Sequence, residues 1–153
     1  MLRLVIGVGN PLRSDDGIGA CVARRVRAAA PAGVDVREAT GEGAALMELW
    51  HDRTEVVLID AVSGAGQPGQ IHRFDAHAQP IPAGFFCYST HAFSVAEAIE
   101  LARVLGTLPP RLVVYGITGA TFAPGAALSP ALAAAVDPAA RAVLAEFDEL
   151  NRA

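Results

Sequence analysis

Three segments of the chain place side chains able to hold a divalent metal, or to move a proton, at the edge of an apolar run. Gly7-Val8-Gly9-Asn10-Pro11-Leu12-Arg13-Ser14-Asp15-Asp16-Gly17 carries two adjacent aspartates. Val56-Val57-Leu58-Ile59-Asp60 ends on a third, and Ser89-Thr90-His91 adds an imidazole. Ligands of an α/β protein gather where parallel strands end, so Asp16, Asp60 and His91 are expected in one cleft. Two carboxylates and one imidazole suit a divalent transition metal and leave coordination positions open for substrate.

Each residue also has a plainer reading. One of Asp15 and Asp16 suffices to cap the first helix through backbone N–H groups. Two exceed that need, which favours Asp15 as the cap and Asp16 as the ligand. A carboxylate closing an apolar strand is costly unless a metal, an arginine or backbone donors compensate it. For Asp60 the alternative is an Asx-turn or helix cap leading into Ala61-Val62-Ser63. His91, taken alone, fits packing or capping as well as metal binding. The case rests on the three together, each at the matching end of its own β–α unit.

Other chemistries fit less well. Gly7 and Gly9 suggest a dinucleotide-binding loop, but the third glycine position holds Leu12 and Pro11 interrupts the tight turn. Asp15 and Asp16 would also repel a pyrophosphate at that helix start. No G-x-S-x-G elbow frames Ser89, Thr90 or Ser94 as a nucleophile. His51 follows Trp50 at a helix end, His72 is expected to point outward from an edge strand, and His77 sits in a polar loop. Cys21 and Cys87 lack CxxC spacing, so no disulfide is expected, and a cytoplasmic location is the default.

The elements that must position these residues alternate along the chain. Strand-like runs cover 2–8, 34–38, 55–59 and 112–117, while 70–74 alternates as a half-exposed antiparallel edge should. Helical stripes cover 17–30, 44–50 and 94–105. Ser129-Pro130 and Asp137-Pro138 each pair an N-cap with a proline at the first helical position. The second start leads into a helix over 139–150 that buries Val143, Leu144 and Phe147. This order predicts a three-layer α/β/α sandwich with a mostly parallel sheet, in one domain spanning 1–153. A chain of 153 residues, 52% hydrophobic and 18% charged, has the core for it. The net charge is −4, and the arginines are scattered apart from Arg24, Arg25 and Arg27, which read as a solvated helix face; no nucleic-acid function is expected, and no apolar run spans a bilayer.

The same residues carry a family resemblance. Gly7-Val8-Gly9-Asn10-Pro11-Leu12-Arg13-Ser14-Asp15-Asp16-Gly17-Ile18-Gly19 resembles the N-terminal signature of the hydrogenase maturation proteases. Val57-Leu58-Ile59-Asp60-Ala61-Val62 resembles their second signature and Ser89-Thr90-His91-Ala92-Phe93 their third. Tyr115-Gly116-Ile117 and Leu128-Ser129-Pro130 are similar to the late strand and final helix entry. The resemblance implies a twisted sheet of about five strands between helices. It implies an endopeptidase that trims a C-terminal extension from the large-subunit precursor of nickel–iron hydrogenase after nickel insertion. Asp16, Asp60 and His91 match the metal-contacting trio by position, and Asp16 or Asp60 is a candidate general base of an aspartic-type peptidase. The nickel arrives with the substrate, so no tightly bound cofactor is expected in the free protein, which is expected to be a monomer.

One departure stands out. Many relatives carry an Asp-Gly-Gly-Thr-type segment where this chain has Thr40-Gly41-Glu42-Gly43-Ala44. Glu42 is the candidate replacement for that acid and the candidate substrate-binding residue. Two other functions remain open on the residues: a small-molecule hydrolase with a resident metal, or a non-catalytic nickel or assembly chaperone.

Overall fold

Three of the five strands form where valine, leucine and isoleucine dominate and are buried on both faces, while the two edge strands are partly exposed. In chain order the strands are β1 (Arg3–Val8), β2 (Val34–Ala39), β3 (Glu55–Val62), β4 (Ile71–Asp75) and β5 (Arg111–Thr118). Helices α1 (Ile18–Ala28), α2 (Gly43–Trp50), α3 (Val95–Leu105) and α4 (Pro130–Glu146) lie between and after them. The computed structural model describes residues 2–29, 31–64, 66–82, 85–86 and 92–148.

The sheet order is β2-β1-β3-β5-β4, with β4 antiparallel at one edge and the other strands parallel. Side chains alternate between two cores. Val5, Val57, Ile59, Val113 and Ile117 pack with α1 and α4 on one face. Leu4, Ile6, Leu58, Val62 and Val114 pack with α2 and α3 on the other. The mostly parallel five-stranded sandwich expected from the sequence is therefore present. Among the described residues no helix is long and apolar enough to cross a membrane.

Three local readings need correction. β3 does not end at Asp60 but continues to Val62, because β5 reaches far enough to pair Asp60 with Gly116 and Val62 with Thr118. Asp137-Pro138 starts no new helix: α4 runs unbroken from Pro130 to Glu146 with Pro138 inside it. Its buried stripe of Leu132, Ala135, Ala139 and Val143 is continuous against α1. That packing outweighs the proline's missing N–H. His72 does not point outward. Its Nε2 lies 3.0 Å from Thr118 Oγ1, and its ring meets Phe85 edge-on at 5.5 Å.

Candidate active site

The chain leaves β1 for β2 on one side and then crosses to β3 on the other. A crevice opens at such a reversal, at the C-terminal ends of the strands. Two glycines bring the first acidic turn down onto it. Gly9 has φ +137°, and a Cβ there would stand 2.0 Å from the Asp16 carbonyl oxygen. A Cβ on Gly19 would lie 2.3 Å from Val8 O and 2.5 Å from Ile59 O. Larger residues at either position would push the turn and α1 off the ends of β1 and β3.

The two neighbouring aspartates then separate by role. Asp15 is fully buried. It does not cap α1. Its carboxylate accepts N–H bonds from Ala120 (2.7 Å), Thr121 (3.1 Å) and Ser129 (2.7 Å), and an O–H bond from Ser129 (2.9 Å). Burial pushes its pKa up, but these donors outweigh that and hold the pKa below the ordinary value. Ser14 reinforces the strap, donating its N–H to Gly125 O (2.8 Å) and its hydroxyl to Ala123 O (2.7 Å). The turn bearing Asp16 is thus fastened to the β5–α4 loop.

Asp16 faces the crevice. Its Oδ2 accepts the Asn10 N–H at 2.8 Å. Burial raises its pKa, and the Asn10 bond and the charge of Arg13 oppose that rise without cancelling it. Asp60 lies on the α2–α3 face of β3, and its Oδ1 accepts the Ala61 N–H at 2.8 Å. Burial, and then the neighbouring Asp16, raise its pKa well above that of an ordinary carboxylate, against the Ala61 bond. Both acids line one narrow cleft with Val8, Gly9, Thr40, Gly41, Phe86, Ser94 and Val95. Its cavity of about 20 Å³ has room for one water or one ion. Each acid keeps one carboxylate oxygen without a hydrogen bond among the described residues. A desolvated carboxylate pair of this kind attracts a shared proton or a divalent cation.

The expected ligand His91 lies outside the described residues, as do Cys87, Ser89 and Thr90. Among the described residues no three His, Cys, Asp or Glu side chains form a metal-sized cluster. Glu42 is the N-cap of α2, accepting from Ala44 N (3.0 Å) and Ala45 N (2.8 Å). Its neighbours Thr40 and Gly41 form the cleft rim. His77 Nε2 lies 2.7 Å from the Pro109 carbonyl oxygen, and exposed His51 pairs with Asp52. His72 shares the transverse row of Asp60, with Gly116 between them and Phe85 over the gap.

Ser94, weighed in the sequence only as a nucleophile, stands in the cleft wall as the cap of α3, a role that its spacing to Glu97 could have signalled. The Ser94 N–H and hydroxyl both bond Glu97 Oε1, at 3.0 and 2.6 Å, closing a capping box at α3. Phe86 carries no such signal, because a tertiary wall is invisible to local spacing.

A family model described as hydrogenase maturation protease matches residues 21–146, a span that includes Asp60 and His91 and begins after Asp16. The hydrogenase 2 maturation protease of Escherichia coli is 29% identical, over 97% of this chain and 92% of that protein. The hydrogenase expression/formation protein HupD of Rhodobacter capsulatus is 28% identical, over 88% of this chain and 65% of its own length. In structure, the hydrogenase maturating endopeptidase HybD of Escherichia coli superposes with a TM-score of 0.81, covering 97% of this chain and 93% of that one. At 24% identity that likeness concerns the fold.

Proposed function

The chain belongs to the hydrogenase maturation protease family, and from that membership we propose that it is the endopeptidase removing a C-terminal extension from the nickel-loaded precursor of a nickel–iron hydrogenase large subunit. The observation that carries this reading to particular residues is the Asp16–Asp60 pair, two buried carboxylates facing one cleft, each with an oxygen left over among the described residues.

In this reading the precursor brings the metal. Nickel already held by thiolates of the precursor meets Asp16, Asp60 and His91, and no tightly bound ion precedes it. Hard carboxylate oxygens compete poorly with thiolates for nickel, so the free protein binds it weakly. The metal then joins the two proteins only when the substrate is loaded. Peptide hydrolysis needs a base for the attacking water and a donor for the departing amide nitrogen. Asp16 serves as the base: burial raises its pKa above that of an ordinary carboxylate, and the Asn10 N–H and the Arg13 charge limit that rise. Asp60, on which burial and the neighbouring Asp16 favour the protonated form, gives its own proton to the leaving nitrogen, while Asp16 keeps the one taken from the water. Glu42 contributes to substrate binding by fixing the Thr40-Gly41 rim through the α2 cap. The protein works in the cytoplasm as a monomer.

The test is cleavage of nickel-loaded and nickel-free precursor, read by mass spectrometry. Wild-type protein is expected to release the extension from the loaded precursor only. Asp16→Ala should lower that rate by about 100-fold or more. Purification of the wild-type protein with a stoichiometric, chelator-resistant metal would favour a hydrolase with a resident metal instead.

A further inference from the structure

A second depression adjoins the cleft. It has a volume of about 460 Å³ and runs between β2 and α2, lined by Ala39, Thr40, Ala45, Leu49, Glu48 and Arg53 among others. Thr40 lines both, so the groove abuts the cleft that holds Asp16 and Asp60.

One wall of this groove is an open sheet edge. β2 is the outermost strand, paired with β1 alone. The Gly9 N–H donates to Ala39 O at 3.0 Å, so the Ala39 carbonyl faces inward along the continuation of β1. Successive residues of a strand turn their backbone groups to opposite sides, so Val36 and Glu38 direct theirs outward. Arg27 confirms this phase, donating from Nη2 to Val36 O at 2.9 Å. That bond closes the lower part of the edge. Nearer the cleft, the Glu38 N–H and C=O face outward with no strand beyond them among the described residues.

We propose that this groove seats the C-terminal extension of the precursor in extended form, as a strand added to the outer edge of β2 at Glu38 and leading into the Asp16–Asp60 cleft. The proposal rests on the peptidase reading above. An edge strand offers a donor and an acceptor in the spacing that only extended backbone matches, and added strands gain their affinity from such main-chain bonds. A helix satisfies its own backbone and leaves these groups unmet. The apolar side chains Ala39, Ala45 and Leu49 take alternate side chains of the segment. Because main-chain bonds carry the contact, the groove selects for an extended, unfolded segment more than for its sequence. The extension of a precursor whose body is already folded is such a segment.

The experiment has a binding arm and a kinetic arm. In the first, inactive Asp16→Asn protein is mixed with precursor carrying its extension, or with precursor lacking it, and amide hydrogen exchange is followed. The extended form is expected to slow exchange over 36–40 by ten-fold or more, and the truncated form is not. In the second, Glu38→Pro removes the outward N–H at an edge position that tolerates proline. Ala45→Trp fills the groove from α2 without touching β2. Both are expected to raise KM by about ten-fold while kcat is held, and Glu38→Ala, which keeps the N–H, to raise it several-fold less. Cleavage by wild-type protein without protection of 36–40, or equal effects of Glu38→Pro and Glu38→Ala, would overturn the groove and leave the peptidase standing. Protection of 36–40 by a precursor that wild-type protein never cuts would do the reverse.

Discussion

Asp60 is placed against its own comfort. It sits on a strand whose other inward residues are aliphatic, with one backbone donor among the described residues and an acidic neighbour to meet its charge. Ionising it in that setting opposes folding, and only a positive charge arriving from outside relieves it. The isosteric Asp60→Asn keeps the Ala61 bond and removes the charge. It is expected to abolish processing and yet raise the melting temperature at neutral pH by roughly 2–4 °C, as about 1 kcal/mol does in a chain of this size. Calorimetry beside a cleavage assay checks both halves, and an unchanged or lower melting temperature would mean that the cleft already compensates the charge. The local sequence disclosed Asp16 and Asp60 because each interrupts or follows a wholly apolar run. It disclosed neither the opposite character of Asp15 nor the inward turn of His72. The alternation of a strand says which side chains share a face, not what covers that face.

At the scale of elements, the feature that holds the site in shape is the strap between the 3₁₀ turn Ser14–Gly17 and the β5–α4 loop. Asp15→Ala would leave three N–H groups and one hydroxyl without the buried carboxylate that accepts from them. The expected loss is about 3 kcal/mol or more of stability, seen as a lower urea midpoint. Processing should fall as well, because Asp16 loses its anchorage although it is untouched. A variant that is destabilised but fully active would show that the turn holds its position without the strap. The strap was hidden from sequence reading for a plain reason: its partners are 105 to 114 residues apart. Helices α1, α2 and α3 and all five strands were legible because their periodicity is local. The second proline start was misread for the same reason in reverse. Asp137-Pro138 has the local chemistry of a helix start, and Asp137 instead pairs with Arg25 at 2.9 Å from inside a continuous α4.

Across the whole molecule, the face opposite the cleft is tied at its far end by a buried carboxylate. Glu146 accepts from Arg73 Nε at 2.7 Å, from Arg111 and from the Tyr115 hydroxyl, joining α4 to β4 and β5. Burial raises its pKa, but Arg73, Tyr115 and Arg111 together bring it down to about 2. A carboxylate whose pKa is lowered by folding adds stability that is complete above its unfolded value of about 4.5 and is lost as pH falls toward 2. The contribution is about 3 kcal/mol at most, and less because Arg73 is half exposed and screened. Comparing thermal melts of wild type and Glu146→Gln from pH 7 to pH 2 should show the two curves converging below about pH 4.5. Parallel curves would deny the network its role. The long reach of the Asp15 strap has one more consequence, in the order of synthesis. A ribosome delivers both acids of the cleft within the first 60 residues, but the donors that fasten the first of them emerge only with residues 120–129. A half-made chain carries the acids without the means to aim them, so hydrolytic competence arrives late in translation, with the last helix.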